Sequence, residues 1–213
     1  MFKFIERQKV KRENSLNGGA AKFAHYTSVE AAVSIFQNSE IWLRNAINMN
    51  DYTEIKFGVD RIAQFFNKDT KQGAARRQRF NDFIPGIFEN AASIYDQYLD
   101  DLKFESYILS LSKFDEQNES DGKLSMWRGY GGRSAVAIVL NSQAFNSDSN
   151  YLGIYSNEVN YLSEVDFDEV MQSFIDAIPN EPIEQTPQNV EQAVWSICYW
   201  LSEVALCTKH KGF

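Results

Sequence analysis

Ala24-His25-Tyr26-Thr27-Ser28-Val29-Glu30 joins a short segment of strand formers to the start of a helix. Lys22–Tyr26 reads as a strand, and Ser28–Asn38 as a helix with Val29, Ala32, Val33 and Phe36 at helical spacing. Thr27 and Glu30 fit a capping box, in which the hydroxyl bonds the third helical N–H and the carboxylate reaches back. A helix start also offers free N–H groups and a positive dipole end, which suit an anion. His25 is one of only two histidines in 213 residues, so a His-Tyr pair at this junction is a candidate ligand contact. The alternative is a junction where both rings merely pack.

Working outward, residues 1–20 read as a basic arm (Lys3 to Arg12) and a flexible link, Asn14-Ser15-Leu16-Asn17-Gly18-Gly19. Residues 21–213 then form one domain, since the length suits a single sizeable core. Ile41-Trp42-Leu43 reads as a second strand. From Asp51 a helix buries Tyr52, Ile55, Val59, Ile62 and Phe66, with Asp51 at its cap and Glu54 three residues later. Gly73 is expected to break a helix. Ala74–Phe83 and Ile87–Leu102 read as helices either side of Pro85-Gly86. Ser106–Ser112 alternates like a strand. Asp115–Lys123 is a polar loop, and Gly129-Tyr130-Gly131-Gly132 predicts tight turning. Ala135–Leu140 is apolar throughout and reads as a buried strand. Tyr151–Tyr161 is a further strand region. Ser163–Ile178 and Pro187–Thr208 are helices, the last with Thr186 as N-cap and Pro187 at the first position. The expected class is α+β: a mixed, mostly antiparallel sheet with packed helices. Lys209-His210-Lys211-Gly212-Phe213 ends abruptly after that helix, which suggests that the fold's last strands lie beyond it.

Composition narrows the function classes. No apolar run has membrane-span length, and the N-terminus has no uninterrupted apolar signal segment. Cys198 and Cys207 stand nine apart on one predicted helix, too far for a disulfide. A reduced, cytoplasmic protein is expected. The net charge is −8, and Ser134–Thr208 holds eleven acids without a Lys or Arg. Such a face repels phosphate backbones, which disfavours duplex nucleic acid. A second basic cluster, Lys68–Arg79, fits a solvated helix end or a local contact.

No dinucleotide fingerprint exists, because the glycines at 129, 131 and 132 lack G-x-G-x-x-G spacing and precede a strand. Cys207-x-x-His210 has ligand-like spacing, but no paired C-x-x-C accompanies it, so core cysteines and no metal are expected. No G-x-S-x-G elbow signals a serine nucleophile. There remain His25-Tyr26-Thr27, Asn50-Asp51-x-x-Glu54, Leu109-Ser110-Leu111-Ser112 and Met126-Trp127-x-x-Tyr130-Gly131, each at an element end, where sites are built. Tyr26, Trp127 and Tyr130 could stack a flat ring while His25 and Ser110 hydrogen-bond a ribose. A packed aromatic corner is the alternative.

In this order the four pieces resemble an uncharacterised bacterial domain family with the pattern HYT, ND-x-x-E, LS-x-S, MW-x-x-YG, over roughly residues 22–140. That resemblance brings no activity with it. The His25 and Ser110-Leu111-Ser112 strands are also similar to the first two motifs of ADP-ribosyltransferases. That similarity implies NAD as substrate and His25 as ribose ligand. It makes Ser110 and Ser112 bracing residues, and Tyr130 or Tyr107 the ring stacked on nicotinamide. The family's late glutamate stabilises an oxocarbenium-like transition state. Here its counterpart would lie past Phe213, or be Glu54, beside Asp51. The implied protein is a bacterial toxin or phage-defence effector acting on NAD or another nucleotide. A competing expectation is a non-enzymatic interaction module whose acidic helical third, residues 162–208, binds a basic protein. A phosphate- or nucleotide-binding hydrolase is a further alternative.

Overall fold

The computed structural model describes residues 21–48, 51–115, 121–130, 134–142 and 158–210; the side chains of Asp51, Tyr52, Glu54 and His210 lie outside the described set. So do the basic arm and its link, Gly131 and Gly132, much of the 115–123 and 151–161 segments, and Lys211-Gly212-Phe213. The elements run β1 (Lys22–Ser28), α1 (Val29–Asn38), β2 (Arg44–Asn45), a 3₁₀ turn (Ala46–Asn48), α2 (Asp51–Phe65), α3 (Lys71–Phe83), α4 (Ile87–Phe104), β3 (Tyr107–Ile108), β4 (Ser112–Phe114), α5 (Leu124–Tyr130), β5 (Ala135–Asn141), β6 (Asn160–Leu162), α6 (Glu164–Asp176), α7 (Pro187–Cys207) and β7 (Thr208–His210). The chain is α+β, as its patterning implies.

Two compact units share the chain. The first is helical and contains the described residues of Asn45–Ser106 and Asn157–Phe213. Its core exists because α2, α3, α4, α6 and α7 each carry apolar residues at three- and four-residue steps. Ile55, Val59, Ile62 and Phe65 of α2 are buried with Phe66, as are Phe80 and Phe83 of α3 and Phe88, Ala91 and Tyr95 of α4. Helix α6 adds Phe167, Met171 and Phe174, and α7 adds Ala193, Val194, Ile197, Trp200 and Leu201. Phe174 lies flat on Trp200 with ring centroids 3.6 Å apart, and Phe66 meets Phe80, Phe88 and Trp200. The ends are capped as their residues suggest. Thr186 accepts from the Asn189 N–H ahead of Pro187, and Ser163 with Asp166 forms a reciprocal capping box. Strands β6 and β7 pair in parallel, Asn160 opposite Thr208.

The basic cluster is engaged within this unit. Arg76 donates to the Phe65 carbonyl with its guanidinium 3.6 Å from the Phe65 ring centroid, and Arg77 donates to the Phe66 carbonyl. Arg79 donates to the Ile178 carbonyl and to Asn180. Cations at the exposed carbonyls of helix C-termini oppose the dipole and satisfy acceptors that the helix cannot.

The second unit contains the described residues of Val10–Arg44 and Tyr107–Ser156. Its centre is an antiparallel sheet in the order β4-β1-β5. Strand β1 is the middle strand, with Ala24 opposite Ser112 on one side and Val139 on the other.

Several local expectations change. The cap of α1 is Ser28, whose hydroxyl accepts from the Ala31 N–H at 3.2 Å. Thr27 stays in β1 opposite Val136, so the strand runs one residue further than the capping-box reading allows. Ile41-Trp42-Leu43 is not a strand, and Trp42 is 79% exposed. Gly73 does not break a helix but sits in the first turn of α3, where a Cβ would lie 2.0 Å from the Asn67 carbonyl oxygen. The break comes earlier, and Thr70 caps α3 through the Gly73 N–H. The Ser106–Ser112 stretch contains only short pieces, β3 and the start of β4. Leu124–Tyr130 is helical through Gly129 and Tyr130, and Gly131 and Gly132 of the expected turn lie outside the described residues. Among the described residues strand β5 pairs on one side only, with β1, and its apolar run is partly covered: Ile138 is buried while Val139 is exposed.

Candidate functional site

Alternation along β1 divides the motif residues between two faces. Ala24 and Tyr26 point to one side, and His25 and Thr27 to the other. Pairing carries the division across the sheet. Ser112 lies opposite Ala24, His25 opposite Ile138, and Thr27 opposite Val136.

On the first face Tyr26 is buried and meets Trp127 edge to face, centroids 4.8 Å apart at 89°. Its hydroxyl accepts from the Lys123 N–H at 2.8 Å. The Trp127 indole N–H donates to the Asp121 carbonyl at 2.7 Å. Gly122 lies between them with φ +74, and a Cβ there would come within 2.6 Å of the Tyr26 hydroxyl oxygen. Tyr26, Trp127 and the 121–123 turn thus clamp α5 to β1, with Ser112 buried on the same face. Tyr26 and Trp127 use their ring edges and polar tips on each other and on the turn. The role of Gly122 escapes sequence reading because its partner is 96 positions away; only the isolated glycine before a helix hinted at it.

On the second face His25 is half-buried. Its Nδ1 is enclosed with no hydrogen-bond partner among the described residues. Burial lowers its pKa from the ordinary 6.5, the Ser110 backbone beside the ring pushes it back up, and the Arg44 charge lowers it again. The ring is therefore neutral at pH 7, one nitrogen donating and the other accepting. A buried polar atom without a partner is uncommon enough to need an explanation. Arg44 was not singled out from the sequence, because it follows the Ile41-Trp42-Leu43 run that reads as a strand by itself. The exposed Arg44 brings positive charge to His25 and makes this edge suited to an anionic ligand.

The remaining candidates are dispersed. Tyr130 ends α5 and is 48% exposed, and Tyr107 in β3 is 55% exposed. Ser110 lies between β3 and β4, its backbone beside His25. Glu54 is in the first turn of α2, in the helical unit, and its side chain is outside the described residues. Of the predicted set, His25, Ser110 and Thr27 form one grouping, and Tyr26, Trp127 and Ser112 another.

Both cysteines of α7 are free thiols. Cys198 is buried, donates to the Ala91 carbonyl, and has its pKa raised by that burial. Among the described residues no group of three or more His, Cys, Asp and Glu side chains is placed to hold a metal ion. No described helix is long and apolar enough to cross a membrane. No family model, curated protein or solved structure matches the chain.

Proposed function

We propose that this chain is an ADP-ribosyltransferase-like, NAD-directed protein that cleaves the nicotinamide N-glycosidic bond, in the manner of a bacterial toxin or phage-defence effector. The observation that carries the reading is His25. It is a neutral, half-buried imidazole on the middle strand, with an unpartnered Nδ1, the Ser110 backbone beside it and the Arg44 charge nearby. A neutral imidazole has one donor and one acceptor nitrogen, and the nitrogen that is not enclosed would meet a ribose hydroxyl. Arg44 supplies the counter-charge for the pyrophosphate. Tyr130, at the end of α5, is the ring this reading assigns to nicotinamide, while Tyr26 and Trp127 keep the sheet and α5 in register.

The reaction breaks the bond between C1′ and the nicotinamide nitrogen. Nicotinamide leaves with the electron pair, and an oxygen of water or an acceptor forms the new bond at C1′ as its proton passes to solvent. A carboxylate stabilises the developing oxocarbenium charge. The sequence nominates Glu54 for that role.

Calorimetric titration of NAD tests the binding half. Wild type should release heat, and His25→Ala and His25→Asn should each weaken binding about tenfold or more. Absence of binding by the wild type, or unchanged affinity in folded His25→Asn, sinks the reading.

A further inference from the structure

Helix α7 is apolar on more sides than its own packing requires. Ala193, Val194, Ile197, Trp200 and Leu201 are buried in the helical unit. On another face Gln188, Glu191, Gln192, Trp195, Ser196 and Tyr199 fall at three- and four-residue steps and line an open groove of about 490 Å³. Trp195 is 49% exposed, and its ring lies 6.2 Å from that of Tyr98 on α4, itself 52% exposed. Two large rings held together at a surface rather than buried are the residue types that anchor protein interfaces.

The charges beside the two rings are acidic, and Lys103 of α4 lies 4.0 Å from Asp100. Glu191 lines the groove, the exposed Glu184 precedes the helix, and the exposed Asp101 stands one turn beyond Tyr98 on α4. No Lys or Arg occurs in sequence from Ser134 to Thr208, and the arginines that reach this third, Arg61 to Glu164 and Asp168 and Arg79 to Asn180, meet α6 and the segment after it rather than α7. This field repels phosphate and attracts Lys and Arg. A groove that follows one helix, with Trp195 at its middle and the Tyr98 ring 6.2 Å from it, suits a second helix laid along it.

We propose that the α4–α7 face of the helical unit is a docking surface for a basic amphipathic helix of another protein. Its apolar stripe seats on Trp195 and Tyr98, and its Lys and Arg side chains face Glu191, Glu184 and Asp101. This surface is independent of the NAD reading, since every residue in it belongs to the helical unit and none is in the His25 grouping.

The test uses the ¹⁵N-labelled full chain and follows the Trp195 indole N–H signal, assigned with Trp195→Phe. The probe is a Lys/Leu amphipathic peptide of about 14 residues, long enough for a marginal helix. Its controls are a Glu/Leu and a Lys/Ser peptide of the same pattern. The Lys/Leu peptide should shift the Trp195 signal, and its affinity should fall roughly tenfold as salt rises from about 0.05 to 0.5 M. Trp195→Ala and Glu191→Lys, both at exposed positions, should each weaken it at least about fivefold. The proposal is overturned if the Glu/Leu or Lys/Ser peptide binds equally well, or if Trp195→Ala leaves affinity unchanged. It is also overturned if the Trp195 signal moves with protein concentration, which assigns the groove to a second copy. A shift on substituting Lys3 and Arg7 overturns it too, assigning the groove to the chain's own basic segment.

Discussion

At the scale of single residues, Gly122 and His25 carry the consequences that can be measured. Gly122 combines a left-handed backbone with a side-chain position already taken by the Tyr26 hydroxyl. Gly122→Ala therefore adds backbone strain to a clash and should destabilise by about 1–3 kcal/mol, read by thermal unfolding. A melting temperature equal to wild type would remove the 121–123 clamp from the account. For His25 the native pKa lies below the ordinary 6.5 because burial opposes the charged ring. The unfolded chain then binds a proton at a pH where the native chain does not. Stability is complete above the ordinary value and falls as pH drops through it toward the native pKa. Isosteric His25→Asn should flatten that part of the stability profile relative to wild type. An unchanged slope means that other groups control it. A neutral ring is also what the ribose contact requires, so NAD affinity should hold through that window and weaken only as pH drops through the native pKa.

At the scale of elements, helices were legible and strands less so. Apolar residues at helical spacing placed α2, α4, α6 and α7 close to their bounds, and Thr186 with Pro187 marked the start of α7 correctly. A helix closes its hydrogen bonds within itself, so its pattern and caps are local properties. Strands β3 and β4 depend on partners elsewhere in the chain, and the even alternation of Ser106–Ser112 did not show the interruption between them. The run in β5 looked fully buried, yet Val139 is exposed, because what covers a strand is a non-local outcome. Arg61 illustrates a contact between elements that no local pattern reveals. From α2 it reaches Glu164 and Asp168 of α6 at 3.1 and 2.7 Å and lies over Phe167, while itself only 11% exposed. Arg61→Ala removes these charge-assisted bonds and the packing of the stem. It should cost about 1–3 kcal/mol in urea unfolding. A change below about 0.5 kcal/mol would show that the pairs are screened surface contacts.

At the scale of the whole molecule, the helical unit depends on an aromatic centre assembled from four helices and the residue after α2. Trp200 is stacked on Phe174 and meets Phe66 edge-on. Trp200→Ala should cost about 3–5 kcal/mol, a large share of a typical domain's stability of about 5–15 kcal/mol. Denaturant unfolding followed by far-UV circular dichroism would check it, and a small loss would mean that the cluster repacks around the gap. The distribution of charge belongs to this scale too. Eleven acids without a Lys or Arg from Ser134 to Thr208 were plain in the sequence. The fates of the arginines were not, because Arg76, Arg77 and Arg79 face carbonyls whose positions depend on packed helix ends. The exposure of Trp195 and Tyr98 is likewise an outcome that residue type does not reveal. By itself the sequence determined the α+β class, the long helices with their buried stripes, the α7 cap and the one-signed charge of the last third, since these follow from residue type and short-range spacing. Tertiary structure alone decided that β1 is the middle strand and that Tyr26 and His25 face opposite ways within a three-stranded sheet. It also decided that Tyr26 is held by a turn far along the chain and that His25 Nδ1 has no hydrogen-bond partner among the described residues. These outcomes depend on which distant segments pair and pack, and local spacing carries no record of that.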